Sequence, residues 1–77
     1  MKTTLTNVKI NHNAVVIDLE CNNQDKKKFL NLGIAKGTKI KPVFKSPFGD
    51  PTAYEIKKAI FALREEDAKK IKVSIEK

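Results

Sequence analysis

The 77 residues contain one cysteine, one histidine, one arginine and no tryptophan, and each shortage removes a class of explanation. With Cys21 alone, an intramolecular disulfide is impossible, and a reducing compartment suits the chain. The opening residues Met1 to Asn7 hold no apolar run of the kind a signal peptide needs. Nowhere does an apolar stretch approach the roughly 18 residues of a membrane-crossing helix. These absences predict a cytoplasmic protein, one that works at a membrane only by binding something there. Arg64 is the sole arginine, which weakens any sequence-reading role, because bidentate recognition of phosphate and guanine depends on that side chain.

Catalytic patterns are also missing. His12 sits in a polar turn with no Ser or Cys in a nucleophile context. There is no phosphate-binding Walker loop, dinucleotide fingerprint or His-Glu metalloprotease pattern. Asp18 with Glu20, and Glu65-Glu66-Asp67, read as solvated carboxylates and turn caps. No catalytic residue and no cofactor are therefore expected. His12, Cys21, Asp18 and Glu20 are the one candidate metal-binding group, a soft and imidazole set of the type that binds Zn²⁺ or Fe²⁺. They lack ligand spacing such as C-x-x-C, so no structured metal site is predicted, only weak transition-metal binding through His12 or Cys21.

What the chain has is lysine and a strand-rich pattern. Sixteen Lys and Arg against nine Asp and Glu leave a net charge of +7. That surplus suits a nucleic acid, an anionic surface or an acidic protein, and equally suits plain solubility. A chain this short buries only about 60% of its unfolded surface, which means one small domain over residues 1–77. Ala14 to Leu19 reads as a first strand with Val15, Ile17 and Leu19 inward. Asn22 or Asn23 is a natural helix N-cap, Asp25 lies in the first turn, and Gly33 is a left-handed terminator. The spacing predicts a helix over Asp25 to Leu32 with Phe29, Leu30 and Leu32 on its apolar side.

Gly37 suits the positive-φ position of a type II turn. From Thr38 to Lys45 the pattern alternates, with Ile40, Pro42 and Phe44 on one face, and Pro42 favours an edge position. Ser46 to Pro51 is a loop by composition. Thr52–Ile56 and Ala59–Leu63 form a hairpin through Lys57-Lys58, a turn without the usual Gly or Asn. After a charged turn at Arg64 to Lys70, Ile71, Val73 and Ile75 alternate with Lys72, Ser74 and Glu76 in a last strand. The expected core is Val15, Ile17, Leu19, Phe29, Leu32, Ile40, Phe44, Ile56, Phe61, Leu63, Ile71 and Val73. Five short strands and one small helix after the first strand predict a mainly β, partly open SH3-like barrel.

The segments Leu30-Asn31-Leu32-Gly33-Ile34-Ala35-Lys36-Gly37-Thr38, Pro47-Phe48-Gly49-Asp50-Pro51, and Leu63-Arg64 with Ala68 resemble the FeoA family. Thr4-Leu5 and Asn7-Val8-Lys9 are similar to that family's opening turn. The resemblance implies a small accessory protein of bacterial ferrous-iron transport that binds and modulates the membrane GTPase transporter FeoB. It supplies no catalytic residue. Two positions depart from the family pattern: Lys58 stands where Gly is common, and Asn11-His12-Asn13 replaces a Gly-containing turn.

For a protein partner, the expected binding residues are Lys26, Lys27 and Lys28 on the helix, with Pro47, Phe48 and Asp50 on the loop. An exposed ring on a stiff loop makes an anchor, and the lysines would steer an acidic surface; the alternative is that Phe48 folds back to plug an open barrel end and the lysines only solvate. The second reading is a small basic nucleic-acid-binding barrel. Single-strand binders need aromatic stacking platforms, and the core leaves only Phe48 and Tyr54 for that purpose.

Overall fold

The computed structural model describes residues 1–75. In chain order they form β1 (Lys2–Thr4), a 3-10 turn (Leu5–Asn7), β2 (Ala14–Leu19), α1 (Asn23–Asn31), β3 (Lys39–Lys45), β4 (Thr52–Ile56), β5 (Ala59–Leu63), α2 (Glu65–Ala68) and β6 (Ile71–Ile75). All six strands join one antiparallel sheet in the order β1-β6-β2-β3-β4-β5. The expected five strands become six because β1 pairs with β6, Lys2 opposite Ser74 and Thr4 opposite Lys72. Three residues are too few to show a period, so β1 is invisible in the sequence. Glu76, the end of the expected last strand, lies outside the described residues.

Local chemistry places the helix as its residues suggest. Asn22 Oδ1 accepts the Asp25 N–H at 2.8 Å, so Asn22 is the N-cap of α1. At the other end Gly33 takes φ 86°, its N–H donates to the Leu30 carbonyl, and the Ile34 N–H donates to the Phe29 carbonyl. That paired closure is a Schellman motif, and Phe29 and Ile34 are both fully buried beside it. A helix of nine residues is not stable alone, so its buried face must hold it to the sheet. Leu30 departs from the expectation. Next to Phe29 in sequence, it is turned about 100° around the axis and is 57% exposed.

Two bulges reset the inward face of the strands. In β2 the register with β6 shifts between Val16 and Asp18. Ala14 and Val16 are consequently buried, whereas the expected Val15 and Ile17 are only half-buried. Past the bulge, Leu19 packs against the core as expected. In β3 the register with β4 shifts between Pro42 and Phe44. Ile40 and Pro42 point inward, but Phe44, expected in the core, is 62% exposed. One extra residue in a strand turns every later side chain to the opposite face.

Pro42 lies between β2 and β4 rather than on an edge strand. Its carbonyl accepts the Asn11 N–H, which directs its missing donor to the side where the β2 ladder has already ended. No ladder bond is lost there. The core gathers Phe29, Ile40, Ile56, Leu63, Ile71 and Val73 as expected, with Leu32 and Phe61 partly buried against it. Leu5, Val8, Ile34, Tyr54 and Ala68 complete it. No helix is long and apolar enough to cross a membrane among the described residues.

Candidate protein-binding surface

The loop from Ser46 to Pro51 is braced at three points. The Gly49 N–H donates to the Ser46 carbonyl at 2.8 Å, closing a turn that has Pro47 and Phe48 at its centre. Proline presets the first central dihedral and Gly49 supplies φ 85° after it. The Ser46 N–H returns to the Pro51 carbonyl at 3.2 Å. Asp50 Oδ1 accepts the Glu65 N–H at 2.8 Å, occupying a free donor at the start of α2. The turn holds Phe48 at the tip, 96% exposed, so the ring does not fold back to plug the barrel. Pro47 is exposed beside it.

The lysine run divides. Lys26 and Lys27 face solvent. Lys28 turns to α2, where its Nζ meets Asp67 Oδ2 at 2.8 Å and lies 5.8 Å from the Phe29 ring centre. A second pair of opposite sense, Lys70 Nζ to Asp25 Oδ2 at 2.9 Å, ties the same helix to the end of the α2 turn. The hydrogen bond to Asp25 holds the Lys70 ammonium above the ordinary lysine pKa. Lys28 and Asp50 therefore both bind α2, which joins the two predicted partner segments through one four-residue element.

Sequence reasoning missed two features of this surface. Leu30 and Lys26 line a cleft of about 230 Å³ together with Leu19 and Lys36. Phe44 adds an exposed ring at the end of β3, only four residues before Phe48. Leu30's position was legible from helical geometry, whereas Phe44 required knowledge of the bulge.

Other candidates disperse. His12 precedes β2 and Cys21 follows it, so six residues of strand, about 20 Å, stand between them. His12 is exposed and Cys21 packs half-buried against the core. Among the described residues no three His, Cys, Asp or Glu side chains gather where they could hold a metal ion. Tyr54, one of two candidate stacking rings, is buried, and burial pushes its phenol above the ordinary tyrosine pKa. Nearby Asp50 and Glu65 push it the same way, against the Thr52 hydrogen bond. Asn11, in the turn that lacks glycine, takes φ 69°, a left-handed conformation that asparagine tolerates.

The FeoA-domain family model matches residues 3–75. The chain belongs to the FeoA-domain family. A FeoA-like protein from Clostridium acetobutylicum is 31% identical, with a TM-score of 0.87 over 96% of this chain and 86% of that one. Iron(II) transport protein A from Clostridium thermocellum is 26% identical, with a TM-score of 0.90 over 95% of this chain and 45% of that one. FeoA of Stenotrophomonas maltophilia, solved with zinc, is described as a prokaryotic SH3-domain protein and suggested as a ferrous-iron transport activating factor. It is 27% identical, with a TM-score of 0.78 over 96% of this chain and 89% of that one. The manganese regulator SloR shares the fold alone, at 16% identity and a TM-score of 0.83. The search of curated proteins gives no match. The fold of this FeoA-domain chain is thus the SH3-like one its strand pattern predicts.

Proposed function

We propose that this FeoA-domain protein is a non-catalytic, cytoplasmic accessory factor of ferrous-iron transport that binds the cytosolic part of a FeoB-type transporter. The observation that carries the reading is Phe48, an almost fully exposed ring on a loop braced at both ends. A rigid, solvent-facing aromatic loses little conformational freedom on docking and removes much apolar surface from water, which is how interface anchors act. Lys26 and Lys27 steer an acidic partner surface and contribute mainly to the rate of encounter. Lys28 has a structural task and contributes less to steering. Transition-metal ions bind the isolated protein weakly, through His12 or Cys21 acting singly.

The test measures binding of the isolated transporter cytosolic domain to Phe48→Ala and to the double variant Lys26→Glu/Lys27→Glu. Phe48→Ala should weaken binding by about tenfold or more, mostly by faster dissociation, with the fold intact. The charge reversal should slow association, and added salt should shrink the difference. If both folded variants bind like the parent, the contact surface lies elsewhere. If the parent does not bind, the transporter reading fails.

A further inference from the structure

The β4–β5 hairpin gathers two unfavourable features in one place. Lys57 and Lys58 take φ 50° and 69°, left-handed backbone that a Cβ disfavours. A two-residue hairpin favours Asn-Gly at such positions, and this chain has two lysines instead. The pairing of β3 with β4 brings more positive charge to the same end. Lys39, Lys41, Lys57 and Lys58, with Asn13 and Glu55, line an open cleft of about 220 Å³. Lys41 Nζ lies 3.5 Å from Glu55 Oε1, and among the described residues no ion pair engages Lys39, Lys57 or Lys58. Like charges gathered at one end of the sheet repel. Backbone strain and charge crowding coincide at a concave surface, which is the pattern of a site kept for a ligand rather than for the fold.

We propose that this cleft binds an oligophosphate anion. Four lysines against one carboxylate leave it strongly positive, and the one carboxylate is already paired. Ammonium groups on flexible stems are point-charge donors suited to phosphate oxygens. The Asn13 amide adds a neutral donor from the chain just before β2. The volume equals that of about seven waters at roughly 30 Å³ each, room for two or three linked phosphates. No aromatic side chain lines the cleft, so nothing there stacks on a base. A nucleoside attached to the phosphates should therefore add nothing. The site lies apart from the Phe48 loop and does not depend on the transporter reading.

The experiment titrates ¹⁵N-labelled protein with orthophosphate, pyrophosphate, tripolyphosphate, ADP and a single-stranded oligothymidine. Affinity should rise by about tenfold or more from orthophosphate to tripolyphosphate, and ADP should match pyrophosphate within about twofold. Amide shifts should centre on Asn13, Lys39, Lys41, Lys57 and Lys58. The variant Lys57→Asn/Lys58→Gly relieves the turn while removing two cations. Its Tm should rise by about 4 °C or more as its tripolyphosphate affinity falls by about tenfold. Lys69→Gln, an exposed lysine outside the cleft, should change that affinity by less than about threefold. Four results would overturn the proposal: no saturation by about 5 mM tripolyphosphate, an equal loss in Lys69→Gln, ADP binding about tenfold tighter than pyrophosphate, or oligothymidine displacing tripolyphosphate at about 0.15 M salt.

Discussion

Phe29→Ala is the sharpest test of how the barrel is held. The ring is 0% exposed, on the inward face of α1, at the residue whose carbonyl closes the helix against Ile34. Truncating a buried Phe costs about 3–5 kcal/mol, the transfer loss plus the cavity left behind. A domain of this length has a total stability of roughly 4–12 kcal/mol, at 0.05–0.15 kcal/mol per residue. The substitution therefore removes a large fraction, and at about 4–8 °C per kcal/mol it lowers Tm by roughly 12–40 °C. Thermal and urea unfolding followed by circular dichroism measures this. Phe44→Ala is the control: the same chemistry at a ring that is 62% exposed should cost less than about 1 kcal/mol. Phe61, half-buried on the edge strand β5, should fall between them. Equal losses at Phe29 and Phe44 would refute the reasoning, because they would mean that β3 has no bulge and Phe44 lies inside.

Three further outcomes are expected. Lys28→Ala should cost about 1 kcal/mol, since it leaves the nearly buried Asp67 carboxylate without its partner while the lysine itself is half-exposed. A double-mutant cycle with Asp67→Asn should give a coupling of about 0.5–1 kcal/mol, and a value near zero would remove the pair from the account. Burial holds the Tyr54 phenol above its ordinary pKa of 10.0, so the unfolded chain loses that proton first as pH rises. Stability from this group is complete below about pH 10 and declines above it until the folded phenol also ionises, so urea midpoints should fall less steeply in Tyr54→Phe over that window. At Asn22, replacement by Ala should cost about 1 kcal/mol by freeing the Asp25 N–H, with the Phe48 loop unchanged.

The features legible in the sequence are those decided within a few residues. Asn22, Gly33 and Gly37 announce the ends of α1 and the turn before β3 because each is a local solution to a free donor or a left-handed backbone. Phe48 was legible for the opposite reason: no alternation surrounds it, so nothing would bury it. The bulges at Val16/Asp18 and Pro42/Phe44 belong to pairs of strands, and no single strand encodes them. The alternation of each strand taken alone therefore puts Val15, Ile17 and Phe44 on the wrong face. Lys28 illustrates the same limit, since its carboxylate partner lies 39 residues away and the run Lys26-Lys27-Lys28 looks uniform until α2 packs beside it.

The hairpin lysines extend that argument from fold to site. Lys57-Lys58 stood out in the sequence as a poor two-residue turn, a local conflict with no local remedy. Only the sheet register shows that Lys39 and Lys41 of β3 reach the same cleft, by way of Lys41 opposite Glu55. A turn chosen for stability alone would place Asn-Gly at those positions and disperse the charge. Two lysines on left-handed backbone and two more from β3 line one cleft, so strain and positive charge fall in the same place. A local rule of turn chemistry broken at a charged cleft is the kind of conflict that function retains.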